Sequence, residues 1–329
     1  MRVTVLGAGS FGTTIASLTA PRHATLLWAR DPALAIEIRE RRANERYLEG
    51  FSLPEALMTT SDIEEAVHGA DVLIVGVPSH GFRDVLKQAA PFVRPWVPVV
   101  SLTKGFETGT LQRMTEVISE VLPGHPAAAL SGPNLAKEIM AGQAAASVIA
   151  TKDLTVATAL QQILHRGVFR IYTNQDVIGC EVAGALKNVV AIAAGMAQGV
   201  GAGDNTRAGV ISRGLAELTR LGVALGGEIQ TFAGLAGVGD LVATCMSPQS
   251  RNRFVGEQLG LGRPLPAILA DMNMVAEGVN TARTAMDLAA RHGLEMPICG
   301  IIQRVLDGEI SATDAYRGLR PAGREADPG

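Results

Sequence analysis

Through the first 175 or so residues, short runs of β-branched and aliphatic residues alternate with segments of helical periodicity. The apolar runs are Val3–Leu6, Ala24–Trp28, Val72–Val77, Val97–Ser101, Ala127–Leu130, Ala146–Ala150 and Phe169–Tyr172. Between them, 15–20, 34–45, 82–90, 111–121 and 154–164 carry apolar residues at helical intervals. Strands separated by helices predict βαβ crossovers, and hence a mostly parallel, doubly wound sheet. Beyond residue 175 the strand signal stops. Segments 181–200, 206–221, 268–292 and 297–306 read as helices with no β run of similar strength. The pattern therefore predicts an α/β domain over 1–175, an all-helical domain over 176–320, and a small, polar, proline-bearing tail over 321–329 that should fray.

Composition narrows the class. Of 329 residues, 47% are hydrophobic and 19% charged, which excludes a chain disordered throughout. The formal charge of −3 is spread along the chain, so no basic face for a nucleic-acid duplex is written here, although a local basic pocket for a small anion stays open. Cys180, Cys245 and Cys299 are too few and too far apart for a disulfide framework or a zinc site, and no two of the six histidines share ligand spacing. We expect no metal. The most apolar stretch, 182–200, is interrupted by Lys187, Asn188 and Gln198, so a buried helix is expected there rather than a membrane span. With no signal-peptide pattern at the start, the expected compartment is the cytoplasm.

The first chemistry-bearing motif is Gly7-Ala-Gly9-Ser10-Phe11-Gly12, which follows the first strand and precedes the first helix. Gly7 permits the tight turn, Gly9 lets backbone approach a pyrophosphate, and Gly12 permits close helix–strand packing. The helix then offers unpaired N–H groups to the negative charge. This assigns dinucleotide binding to 1–175. Strand two ends in Trp28-Ala29-Arg30-Asp31. A guanidinium at Arg30 can pair with the 2′-phosphate of NADP(H). Asp31 either caps the next helix or competes as a ribose ligand, which keeps NAD(H) in view.

Only five lysines occur in the chain: Lys87, Lys104, Lys137, Lys152 and Lys187. Lys87 and Lys152 sit among polar residues, as solvated lysines do, and Lys137 beside Glu138 reads as structural. Lys187, with Asn188, interrupts Val-Ala-Gly-Ala-Leu-Lys-Asn-Val-Val-Ala-Ile. A buried ammonium must find a partner, lose its proton or face a wet cleft. The alternatives are an internal ion pair or a proton donor to a carbonyl oxygen. Lys104 lies just past a strand end, where parallel sheets bind ligands. After the next strand comes Ser131-Gly132-Pro133-Asn134, a small-residue turn that can expose backbone donors; Asn134 can also serve as a helix cap.

Polar clusters also break the apolar background of the second domain. Gly203-Asp204-Asn205-Thr206-Arg207 precedes a helix, with Asp204 or Asn205 a candidate cap. Asp240 and Thr244 are four apart, and on a helix they share a face where they can orient a hydroxyl or a lysine; Asp240 as a cap is the competing account. Ser250-Arg251-Asn252-Arg253 offers a planar donor fork beside an amide, suited to phosphate, though a solvated loop explains the same letters. Glu277 is an isolated carboxylate among apolar residues.

Taken together, GAGSFG at 7–12, LTKG at 102–105, SGPNLAKE at 131–138, GALKN at 184–188, GDNTR at 203–207, GLAGVGDLVATC at 234–245, SRNR at 250–253 and AEGV at 276–279 resemble the bacterial NAD(P)-dependent glycerol-3-phosphate dehydrogenases. The resemblance implies a Rossmann-like first domain and a helical second domain similar to that of 6-phosphogluconate dehydrogenases. It also implies interconversion of sn-glycerol 3-phosphate and dihydroxyacetone phosphate, running toward reduction for glycerophospholipid synthesis. By the same resemblance, Lys187 is the proton donor or acceptor, supported by Lys104, Asp240, Thr244 and Asn188. Substrate contacts fall on Lys104, Gly132, Asn134, Lys187, Asp240, Ser250, Arg251 and Asn252. Cofactor contacts fall on Gly7, Gly9, Ser10, Phe11, Gly12, Arg30, Lys104, Ala136, Arg251, Val275 and Glu277. Asn134 stands where Ser or Thr is frequent, and it too can donate a hydrogen bond. A homodimer is compatible with these residues, and none of them marks its interface. A dehydrogenase of another phosphorylated or acidic substrate, or a dinucleotide sensor without turnover, would share the glycine fingerprint.

Overall fold

The computed structural model describes residues 1–272 and 274–317, and the chain divides into two units, Met1–Glu181 and a second that starts at Val182. The tail 321–329 lies outside the described residues.

The first unit is built on one eight-stranded sheet of β1 (Arg2–Leu6), β2 (Ala24–Trp28), β3 (Met58–Thr60), β4 (Val72–Val75), β5 (Val99–Ser101), β6 (Ala127–Ser131), β7 (Ala145–Ala150) and β8 (Phe169–Asn174). Their spatial order is β3-β2-β1-β4-β5-β6-β7-β8. All pairs are parallel except β6 with β7, where Leu130 faces Ile149 in antiparallel register. Successive side chains of a strand alternate between faces, so β4 sends Val72 and Ile74 into one core and Leu73 and Val75 into the other. Helices Ser10–Thr19, Pro32–Arg41 and Leu154–Leu164 cover the first face; Ser79–Ala89 and Met114–Val121 cover the second. With both faces covered, the strands read as continuous apolar runs, the doubly wound arrangement the pattern predicts.

Some local features of the first unit depart from the pattern. Strand β3 carries too short an apolar signal to stand out; its three residues pair with Leu26–Trp28 at the sheet edge. The helix expected from Leu111 starts at Met114, because Leu111 adopts a left-handed backbone (φ 64°).

Among its described residues the second unit is helical. Its centre is the helix Val177–Gly199, within which the unit boundary falls and whose residues 180–197 are buried without interruption. By length and composition this helix passes for a membrane span; apolar on every side, it is enclosed by protein instead. Gly195 and Gly256 explain one close approach: a Cβ at Gly195 would overlap the Arg253 carbonyl, and one at Gly256 the Ile192 carbonyl. The helix Arg251–Gly260 thus lies backbone to backbone on the central helix. The segment expected as one helix over 268–292 is two, Leu265–Ala270 and Glu277–Arg291. Gly203, rather than Asp204 or Asn205, occupies the N-cap of the helix Asp204–Ala224.

Candidate active site

The glycine loop leaves buried β1 at Gly7, whose φ of 116° is accessible mainly to glycine and whose added Cβ would lie 2.7 Å from the Gly76 carbonyl oxygen. A Cβ at Gly12 would overlap the Gly7 carbonyl, whereas one at Gly9 meets nothing within 4 Å. Two glycines therefore close the loop against the sheet and the third leaves an open backbone surface. Gly9 is also the N-cap of the helix Ser10–Thr19, with no side-chain cap and no acidic residue in the first turn. Ser10 and Phe11 form that turn, Phe11 packing on the sheet core. This cradle fits a pyrophosphate: orphan N–H donors, a positive helix end and room for a ligand coincide.

Arg30 is exposed and its guanidinium has no partner among the described residues. Asp31, by contrast, accepts from Ala33 N at 3.0 Å and caps the helix Pro32–Arg41, with Arg46 at 3.6 Å from its other oxygen. Of its two expected roles, the structure gives it the cap.

A second cluster lies beyond β5 and β6. Lys104 Nζ donates to the Gly132 carbonyl at 2.8 Å and to Asn134 Oδ1 at 2.7 Å. Those bonds fix the Asn134 amide so that its Nδ2 is buried without a protein acceptor. Gly132 turns the chain at φ 121°, where a Cβ would press on Ser147 Cα at 3.1 Å. Half-buried Ala136 opens the next short helix, and Lys137 points to solvent.

In the second unit Lys187 is buried, and its ammonium donates to Asp240 Oδ1 at 2.5 Å and to Thr244 Oγ1 at 2.6 Å. Thr244 in turn donates to the Asp240 carbonyl at 2.7 Å. Asp240 follows a five-residue π-helical stretch, Leu235–Gly239, and begins the helix Asp240–Met246, so the four-residue spacing puts both oxygens before one nitrogen. Gly239 takes the cap position, and the carboxylate serves the lysine. Two of the three ammonium hydrogens are thereby spent on fixing the group. Burial pushes the neighbouring Cys245 thiol up to about 12, so no thiolate competes there near neutral pH.

Asn188, the next residue on the central helix, accepts from Asn252 Nδ2 at 2.9 Å, while Asn252 Oδ1 accepts from Gly278 N at 2.9 Å. One amide thus ties three helices, and Asn252 is seated in the first turn of Arg251–Gly260. Ser250 is the N-cap of that helix, accepting from Arg253 N at 3.2 Å. The exposed Arg251 donates to the Val275 carbonyl at 2.7 Å, holding the segment that leads to Glu277 in the first turn of Glu277–Arg291. The arginine-rich stretch is therefore a helix N-terminus and not a loop. Arg207 is held by Gln198 and Asp204.

Family models for the NAD-dependent glycerol-3-phosphate dehydrogenase N-terminus and C-terminus match residues 2–157 and 176–317. The chain belongs to the NAD-dependent glycerol-3-phosphate dehydrogenase family. It is 57% identical over 331 residues to a glycerol-3-phosphate dehydrogenase [NAD(P)+] of Sphingopyxis alaskensis, covering all of this chain and 99% of that one. It is 53% identical to the Mycobacterium avium enzyme of the same name, covering 97% and 94%. The crystal structure of glycerol-3-phosphate dehydrogenase from Coxiella burnetii superposes with a TM-score of 0.93 at 34% identity, covering 97% of this chain and 98% of that one.

As a glycerol-3-phosphate dehydrogenase family member the chain uses an NAD(P) cofactor, for which the glycine cradle is the fitting element. Sequence reasoning missed two elements near these residues. Glu181, on the helix that carries Lys187, is buried and accepts from Arg113 and from the Thr115 backbone at 2.8 and 2.9 Å. Gln198 accepts from Arg253 at 2.7 Å as well as from Arg207. A lone acid at the head of an apolar helix was the available sign of the first; the second left none.

Proposed function

We propose that the chain interconverts sn-glycerol 3-phosphate and dihydroxyacetone phosphate with NADP(H) or NAD(H), Lys187 moving the proton. The observation that carries this reading is a buried ammonium held by Asp240 and Thr244 with one hydrogen left to donate. The nicotinamide, when bound, supplies or accepts the hydride at the carbon. During reduction charge grows on the carbonyl oxygen; Lys187 gives that oxygen its proton, and in oxidation takes the hydroxyl proton back. The Asp240 carboxylate holds the ammonium in place. Lys104, fixed by Gly132 and Asn134, adds positive charge for the developing oxyanion, and the buried Nδ2 of Asn134 is a donor for substrate oxygen.

The phosphate falls to Ser250, Arg251 and Asn252, because a helix N-terminus, a guanidinium fork and an amide together suit a dianion. Remote binding of that group orients the carbonyl. We assign Ala136, Val275 and Glu277, with Arg30 and the glycine loop, to cofactor binding. Domain 1–175 then holds the dinucleotide and 176–320 the substrate and proton chemistry. The cytoplasm, the supply of glycerophospholipid synthesis and a homodimer complete the reading; light scattering on the purified chain tests the last.

The decisive test is single-turnover hydride transfer to dihydroxyacetone phosphate by Lys187→Ala across pH, followed by reduced-nicotinamide absorbance. We expect a loss of about 10²–10⁴-fold and a changed pH profile. A near-normal rate with the wild-type profile would remove Lys187 from the chemistry.

A further inference from the structure

One face of the first unit carries charge that the proposed chemistry does not use. An open groove of about 820 Å³ is lined there by Arg22, Gln161, His165, Arg170 and Tyr172, among others, and by no carboxylate. The stretch that supplies most of its lining, 161–172, contains no Asp or Glu. The side chains of Arg22, Arg166 and Arg170 have no hydrogen bond or ion pair among the described residues. Several arginines elsewhere are paired: Arg83 is forked onto Glu107, Arg94 meets Asp71 and Arg113 meets Glu181.

His23 reports the local field. Its Nε2 is buried with no partner. Burial first, then the positive charges of the N-terminal amine, Arg22 and Arg166, hold it below the usual histidine range. Cations at helix C-termini offset the helix dipole, which accounts for Arg22 past Thr19. It does not account for Arg170, which stands exposed on strand β8 and lines the same groove. The Gln161 side chain donates to the Ile171 carbonyl at 2.7 Å, so the helix wall of the groove is bonded to its strand wall.

We propose that this groove is a second anion site that takes a phosphate-bearing polyanion, either free in solution or displayed as the headgroup of an anionic lipid. Guanidinium forks without counter-ions around an open, carboxylate-free groove suit phosphate oxygens, which accept bidentate donation. The site is separate from the cofactor cradle: the cradle is at the N-terminus of Ser10–Thr19 and Arg22 is three residues beyond its last residue, a helix length of about 15 Å away.

The test compares the full chain with the double variant Arg22→Gln/Arg170→Gln, whose two side chains bond to nothing described in the fold. One arm titrates tripolyphosphate calorimetrically; the other floats the protein with phosphatidylcholine vesicles with and without phosphatidylglycerol. In the wild type we expect a binding event that the double variant weakens at least about tenfold, the factor one charge-assisted hydrogen bond carries. Kinetic constants for dihydroxyacetone phosphate and NADPH should stay unchanged, and Arg170→Lys, which keeps charge without the fork, should fall in between. Loss in the tripolyphosphate arm alone supports the soluble anion, and loss of flotation on phosphatidylglycerol supports the lipid headgroup. Identical behaviour of wild type and double variant in both arms, or no binding in either, overturns the proposal.

Discussion

Replacing Asp240 by Asn removes one charge from a buried pair while keeping its shape. The side chains of Lys187 and Asp240 are 7% and 2% exposed, with nitrogen and oxygen 2.5 Å apart. At an effective dielectric of about 20 their attraction is about 7 kcal/mol, most of it offsetting the cost of taking both charges out of water. Loss of one partner leaves an uncompensated buried ammonium, which costs about 3–5 kcal/mol. Urea unfolding followed by near-ultraviolet circular dichroism should show that loss at pH 7. Turnover should fall together with stability, because the same carboxylate aims the ammonium. Restoring an apolar match with Lys187→Met/Asp240→Leu should recover stability but not activity. A single variant within about 1 kcal/mol of wild type at pH 7 would refute the pairing as the reason this lysine can be buried.

Other outcomes follow from single residues. Arg30→Ala should raise the KM for NADPH more than that for NADH, and equal effects would remove the 2′-phosphate assignment. Gly256→Ala gains helix propensity yet drives a Cβ into the Ile192 carbonyl, so unfolding free energy should fall by about 1–3 kcal/mol instead of rising. Glu217, which accepts from the Ile298 and Cys299 backbone at 2.6 and 3.1 Å, is raised above the ordinary carboxylate range by burial. Its stabilising contribution is therefore complete below that range and lost as pH rises through the folded-state value; thermal melts of Glu217→Gln should lack this decline.

Much of this was legible because it is local. Glycines after the first strand dictate a turn wherever the chain goes next, and a charged residue inside an apolar helix announces chemistry or a partner. Asp240 and Thr244 declared a shared face by spacing alone. Other positions carried two readings of equal merit. Asp31 could cap or bind ribose until Ala33 N was found on its carboxylate, and SRNR could be a loop until Ser250 proved to be an N-cap. The split at 271–276 was hidden because apolar spacing runs on across it.

What the amino-acid order determined by itself, then, was the alternation of strands and helices, the nucleotide loop and the anomaly at Lys187, since each depends on neighbours within a few turns of chain. Tertiary structure alone decided which partners those groups take: Asp240 for Lys187 across 53 residues, Asn252 for Asn188 across 64, and the antiparallel turn of β7. A buried polar group must be satisfied by something, but which something depends on how closely two backbones pack. In the second unit that choice rests on glycines such as Gly195 and Gly256, whose missing side chains bring one helix onto another.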